Sequence, residues 1–226
     1  MAEPARPVPR FSIGEAVTYS WNACWQNLGP VMLVSAIVLA GNGVIALLSA
    51  AFSGAAMGYA FGLFGVLLNL LLVFGLLRAA LTVVEGRPVA LAEAFRPDGF
   101  GPFLLASVVF LLGLSVGLEL PTVLTLPGVV ALLLVVAALW FGVVFQFYGF
   151  VIAEHPDVGP MVALAHSAAL TRGVRFRLLG LVAVLAFLNL AGLMLCFLGL
   201  VVTYALSAVS LAYVYRLLSG QAIATT

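Results

Sequence analysis

The chain has 226 residues, of which 65% are hydrophobic and only 8% are charged. Soluble domains carry about 25% charged residues, so this composition excludes a water-soluble globular protein, a disordered chain and a secreted disulfide scaffold. The basic residues are all arginine and the net charge is +1, which leaves no basic excess for a nucleic-acid partner. The composition predicts a protein embedded in a lipid bilayer.

Residues 1–10 are rich in proline and contain no short apolar stretch typical of a signal peptide. We expect this segment to be a disordered tail, and 221–226 to be a second tail. A single membrane domain is expected between them, over 11–220.

An amphipathic helix is predicted over 12–28. Ser12 and Glu15 have the spacing of a capping box, which marks the beginning of a helix. Apolar residues then recur at helical spacing on one face, so the helix is expected to lie along the membrane interface. Trp21 and Trp25 would then lie at the depth of the lipid headgroups.

Long stretches without charged residues locate the membrane spans, because a spanning helix needs about 20 apolar residues. Turns are predicted at Ser53-Gly54, Pro127-Gly128 and Gly199, since Gly and Pro interrupt helices. The predicted spans are 31–51, 61–83, 103–120, 129–152, 178–196 and 200–218. The fold class is therefore all-α, a polytopic transmembrane bundle of six helices.

The arginines predict the orientation of this bundle. In the six-span arrangement all of them fall on one side of the membrane: Arg6, Arg10, Arg78, Arg87, Arg96, Arg172, Arg175, Arg177 and Arg216. The opposite side has short turns whose only charge is Glu119. Cytoplasmic loops accumulate arginine, so we expect a multi-pass protein of the cell (inner) membrane with both termini in the cytoplasm.

Two further amphipathic segments, 88–95 and 161–170, precede the third and fifth spans. Each of the three units would then consist of one interfacial helix on the cytoplasmic side and two spans. A triplicated helical hairpin explains this order. The alternative is that any connector beside a membrane becomes amphipathic.

Four amides lie inside the predicted spans: Asn42, Asn69, Gln146 and Asn189. An unpaired amide is costly in lipid, so these side chains are expected to face the bundle interior and to bond between helices. A polar permeation path is the alternative interpretation. Ion and proton routes generally carry buried acids or bases, and the middle of these spans has none.

Arg172, Arg175 and Arg177 lie within six residues just before the fifth span. Together with Trp21 and Trp25 they are the candidate contacts for anionic lipid headgroups or for a protein partner. The alternative interpretation is that the three arginines only anchor the topology.

The sequence contains no motif of the metalloprotease, serine hydrolase or nucleotide-binding type. Glu154, His155 and Asp157 could in principle ligate a metal, but Pro156 among them favours a hydrated turn. We therefore expect no catalytic residue, no metal site and no cofactor.

Several short segments carry a resemblance to a known group of proteins. They are Tyr19-Ser20-Trp21, Pro127-Gly128, the stretch 163–173 and the ending that begins Gly199-Leu200-Val201. With these segments the chain resembles the uncharacterised six-span proteins of the YciC-like kind and is similar to the membrane region of some glycerophosphodiester phosphodiesterases. The resemblance implies an integral membrane protein, and no hydrolase activity, because the phosphodiesterase barrel is not part of this sequence.

The leading hypothesis is a non-enzymatic scaffold or accessory subunit of a membrane complex. Its expected partners are membrane lipids and either another protein or a second copy of the chain. The alternative is a transporter or permease component for a small or lipid-like substrate. Such a protein would need its buried amides to converge on a water-filled cavity.

Overall fold

The computed structural model describes residues 11–52, 56–125 and 127–225. Every regular element among these residues is a helix, which confirms the predicted all-α class. The helices are α1 (Ile13–Gln26), α2 (Leu28–Ala51), α3 (Ala56–Val84), α4 (Leu91–Ala94), α5 (Phe100–Leu118), α6 (Leu120–Val123), α7 (Gly128–Phe145), α8 (Tyr148–Glu154), α9 (Pro160–Leu170), α10 (Arg175–Met194) and α11 (Cys196–Ser219). The predicted tail 1–10 and the predicted Ser53-Gly54 turn lie outside the described residues.

Among the described residues, six segments are long and apolar enough to cross a membrane, so the chain is a multi-pass membrane protein. They are Gly29–Ala51, Ala60–Val84, Phe100–Leu118, Gly128–Glu154, Arg175–Met194 and Gly199–Ser219. These segments form three packed hairpins, α2 with α3, α5 with α7, and α10 with α11. Gly113 and Gly117 lie against Phe141 and Ala138, so the missing side chains let α5 and α7 approach closely.

The last hairpin turns earlier than the sequence predicts. Helix α10 ends at Met194 and α11 begins at Cys196, so the turn is at Leu195 rather than at Gly199. Gly199 instead lies in the first turn of α11, where its backbone approaches the backbone of Gly192. Gly199 has no side chain, which lets α10 and α11 pack closely at this point. It does not form the turn between them.

The fourth span is not one continuous helix. Helix α7 ends at Phe145 and α8 begins at Tyr148, whereas the sequence predicts an unbroken span over 129–152. The Ser167 hydroxyl of α9 is inserted at the break: it donates to the Val144 carbonyl at 3.1 Å and accepts from the Phe147 N–H at 3.0 Å. A side chain inserted into the hydrogen-bond ladder in this way interrupts a helix.

Helix α1 is separate from the first span, because the chain leaves helical geometry at Asn27. Ser12 is the N-cap residue, as predicted, but its side chain makes no capping hydrogen bond. The buried residues of α1 are small, Ala16, Ser20, Ala23 and Cys24, and the helix packs mainly on α11. The segment 88–95 forms only the short α4, while 161–170 forms α9.

The core is concentrated toward one end of the bundle. The buried residues of α2 lie in its first half, and most of those of α3 lie between Leu70 and Val84. Toward the other end large apolar side chains such as Leu47, Leu63 and Leu132 are exposed, as expected where lipid covers a helix. The packed end is where α3, α8 and α11 end, and the C-terminal residues cross it: the Ala224 N–H donates to the Val84 carbonyl at 3.0 Å.

Candidate functional site

Amide side chains within the spans form hydrogen bonds between adjacent helices at two places. The Asn69 amide donates to the Asn42 carbonyl oxygen, which links α3 to α2. The Asn189 amide donates to the Ser207 hydroxyl at 2.9 Å, which links α10 to α11. Gln146 lies apart from both pairs, in the break between α7 and α8, where its buried Nε2 has no bonding partner among the described residues. The four amides therefore divide into one amide pair, one amide bonded to a serine, and one separate residue.

A buried ionic network holds the ends of α3, α8 and α11 together. The Arg216 guanidinium on α11 forms ion pairs with Glu85, just beyond α3, and with Glu154 at the end of α8, the latter at 3.3 Å. The Tyr215 hydroxyl donates to the second oxygen of Glu154 at 2.7 Å. Glu154 is therefore part of a packed network, not of the hydrated turn that the sequence analysis favours.

A second layer of charges lies outside this network and is exposed. Arg87 pairs with Glu85 at 2.9 Å and with Glu93 at 2.7 Å, and Arg96 pairs with Asp98 at 2.8 Å. The side chains of Arg87, Glu93, Arg96 and Asp98, which we call the rim, are about half exposed. Hydrogen bonds to Glu85 and Glu93 raise the pKa of Arg87. Exposed pairs of this kind contribute little to stability, so another charged group can displace them.

The rim surrounds a cavity of about 270 Å³. The cavity is lined by Arg78, Leu81, Thr82, Glu85, Arg87, Glu93, Arg96, Asp98, Ala153, Glu154 and Pro156. Arg78 donates to the backbone carbonyls of Arg96 and Asp98 and thereby fixes the loop between α3 and α5 as one wall. The lining contains both positive and negative side chains. It therefore suits a polar partner, or one that carries both positive and negative charges, better than an apolar partner.

The predicted arginine cluster lies elsewhere on the same end of the bundle. Arg172 is exposed in the turn between α9 and α10, Arg175 is the first residue of α10, and Arg177 is exposed two residues later. Trp21 and Trp25 are about half exposed on α1, with ring centroids 5.5 Å apart. The cation–π contact of the arginine cluster is made by Arg175 with Trp140, not with Trp21 or Trp25.

Sequence reasoning does not single out Glu85 or Tyr215, and it does not predict that Glu154 and Arg216 pair. Each is a charged or polar residue at the end of a predicted span, where a hydrated position is the ordinary expectation. The only signal in the sequence is that two acids and one arginine occupy equivalent ends of three spans. Whether these acids and the arginine pair depends on which helices are neighbours in the fold, and the sequence pattern does not determine which helices are neighbours.

Comparison with known proteins yields relatives without an assigned role. The chain is 26% and 28% identical to two uncharacterized proteins from strains of Mycobacterium tuberculosis. It is 26% identical to an uncharacterized protein of Mycobacterium bovis. Each alignment covers 93% of this chain and 69% of the relative. No family model matches the chain, and no solved structure matches it.

Proposed function

We propose that the protein is a non-enzymatic scaffold or accessory subunit of a membrane complex, with the rim as its contact surface for another protein. The observation that carries this proposal is the separation of its polar groups. The paired amides bond between adjacent helices, Asn42 with Asn69 and Asn189 with Ser207. The displaceable charges gather at one end of the bundle, around the cavity.

The orientation belongs to the same proposal: both termini and the rim face the cytoplasm of the cell membrane, and α1 lies along the interface. The support is the positive-inside bias, since the described arginines all lie toward the end of the bundle that carries the rim. The half-exposed tryptophans of α1 suit headgroup depth.

We also propose a relationship to the YciC-like six-span proteins. Its support is that the stretch 163–173, which carries part of the resemblance, includes Ser167 and Thr171. Both side chains bond to the Val144 carbonyl at the break of the fourth span, at 3.1 and 3.3 Å. A structural requirement of this kind explains why such a stretch would recur in a family.

The test of the proposed function is recovery of partners from native membranes after crosslinking in cells. We expect the tagged protein to retain a specific set of membrane proteins, and Arg96→Glu to reduce their recovery at least several-fold, because it reverses one charge of the rim. Glu119→Arg reverses a charge of equal size at the opposite end of α5 and is the matched control. Equal recovery by the two variants, or recovery no greater than that by an unrelated six-span protein, would contradict the proposal.

A further inference from the structure

The described arginines fall into two groups according to what they contact. Arg87, Arg96 and Arg216 form ion pairs with carboxylates, and Arg78 donates to two backbone carbonyls of the loop that carries Asp98. Arg172, Arg175 and Arg177 form no ion pair with any carboxylate of the described residues. The second group lies around the junction of α9 and α10, apart from the rim. Its positive charge is therefore not neutralised within the described part of the chain.

Arg175 is held in place by an aromatic ring and not by a carboxylate. Its guanidinium carbon lies 5.7 Å from the centroid of the Trp140 ring, within the range of a cation–π contact. Its one hydrogen bond, to the Ala168 carbonyl, is long at 3.5 Å, and its Nε is buried without an acceptor. The guanidinium is thus oriented but has unused donor capacity, whereas buried polar groups are ordinarily bonded.

The surroundings of Arg175 are apolar and open. Phe176 is 79% exposed, and its ring lies 5.4 Å from the Trp140 ring. Arg175 begins a span, which places its guanidinium at the boundary between hydrocarbon and headgroups. Trp140, in the last two turns of α7, packs beside it.

We infer that Arg175, with Trp140, Phe176 and the neighbouring Arg172, forms a binding site for an anionic phospholipid. The phosphate accepts hydrogen bonds from the Arg175 guanidinium, whose planar donor array suits phosphate. Arg172 adds a second positive charge, and the exposed Phe176 ring contacts the acyl chains. Arg177 is left out of the site because it lines a different cavity together with Glu15.

A net negative headgroup fits this site better than a zwitterionic one. The two arginines repel the ammonium group of a zwitterionic lipid, and no carboxylate of the described residues pairs with them to offset that repulsion. Each juxtamembrane cation favours an anionic lipid by about five-fold. The site is separate from the rim and does not depend on the proposed function.

The inference is tested with purified protein in nanodiscs of phosphatidylcholine containing a minority of phosphatidylglycerol, by quantifying the lipids retained on the protein after mild delipidation. We expect the wild type to enrich phosphatidylglycerol over its bulk fraction. Arg175→Gln should lower that enrichment by about five-fold. Arg96→Gln removes an arginine at the same end of the bundle, is the matched control, and should leave the enrichment unchanged. No enrichment by the wild type, or equal losses in the two variants, would overturn the inference.

A second variant separates lipid binding from folding. Trp140→Leu keeps every charge but removes the ring that orients Arg175, and should lower the enrichment by about two- to five-fold. Thermal unfolding in phosphatidylcholine alone identifies any variant that is misfolded. A folded Trp140→Leu protein that enriches phosphatidylglycerol as well as the wild type would overturn the inference. The nanodiscs contain only the purified protein and lipid. The lipid result is therefore independent of whether the crosslinking experiment in cells recovers a protein partner.

Discussion

Arg216 shows how a charge is accommodated inside this bundle. Its side chain is 11% exposed, and the two carboxylates that it contacts, those of Glu85 and Glu154, are also largely buried. Removal of one partner from such a network leaves the remaining charges uncompensated, which costs more than the loss of an exposed pair. The network is therefore expected to hold the ends of three helices together.

Arg216→Met should lower the free energy of unfolding by about 3 kcal/mol, because it leaves Glu154 without its cationic partner. Arg96→Met, which breaks the exposed pair with Asp98, should cost less than about 1 kcal/mol. Unfolding in detergent by titration with sodium dodecyl sulfate measures both values. Equal values for the two variants would show that Arg216 has no special role in the packing.

Cys24 gives a prediction about pH. Burial raises the pKa of its thiol to about 12, and only the thiolate reacts with maleimides. In a Cys196→Ala background the folded protein should therefore label slowly near neutral pH, with a rate that still rises as the pH increases beyond the ordinary thiol range of about 8.5. A labelling rate that levels off near that ordinary value would mean that Cys24 is accessible to water.

At the scale of the elements, the break between α7 and α8 is the feature with the clearest cause. The Ser167 hydroxyl takes the place of the missing ladder bond, and Thr171 shares the Val144 carbonyl with it at 3.3 Å. Helix α9 thus serves as a structural support for the fourth span, in addition to connecting it to the fifth. A broken helix is tolerated at membrane depth where hydroxyl side chains satisfy the freed backbone groups.

Ser167→Ala should therefore destabilise the protein by about 1–3 kcal/mol, since it leaves the buried Phe147 N–H without an acceptor. Ser115→Ala is the control, because the Ser115 hydroxyl bonds only within its own helix, to the Leu112 carbonyl. Its effect should stay within about 0.5 kcal/mol. Thermal unfolding in the same detergent compares the two variants, and a Ser167→Ala protein as stable as the wild type would show that the break does not need this hydroxyl.

The sequence predicts those helices and breaks that depend on residues close together along the chain. Span positions follow from hydropathy, and the separation of α1 from α2 agrees with the Gly29-Pro30 pair near its break. The break in the fourth span was not predictable, because its cause, Ser167, lies 20 residues from Phe147 along the chain. The ionic network was not predictable either, since Glu85 and Arg216 are 131 residues apart.

At the scale of the whole molecule, the three hairpins pack most closely at the end that carries the rim. Three of the four amides within the spans form hydrogen bonds between adjacent helices, and the charged residues with displaceable partners are found at the end that carries the rim. A scaffold needs this arrangement, with a fixed interior and an accessible charged surface. A transporter needs polar groups that line a continuous route.

The accessibility of single cysteines to a water-soluble reagent distinguishes a scaffold, whose interior is closed to water, from a transporter, whose interior contains a polar route. In a Cys24→Ala, Cys196→Ala background, single cysteines are placed at Glu93, Glu119, Asn42 and Asn189 and are treated with a membrane-impermeant maleimide in intact cells and in inverted vesicles. We expect labelling at Glu93 only in inverted vesicles, labelling at Glu119 only in intact cells, and no labelling at Asn42 or Asn189 in either. Labelling at either asparagine position would reveal a water-filled route through the bundle, and labelling at Glu93 in intact cells would place the rim outside the cytoplasm, so each result would contradict the account.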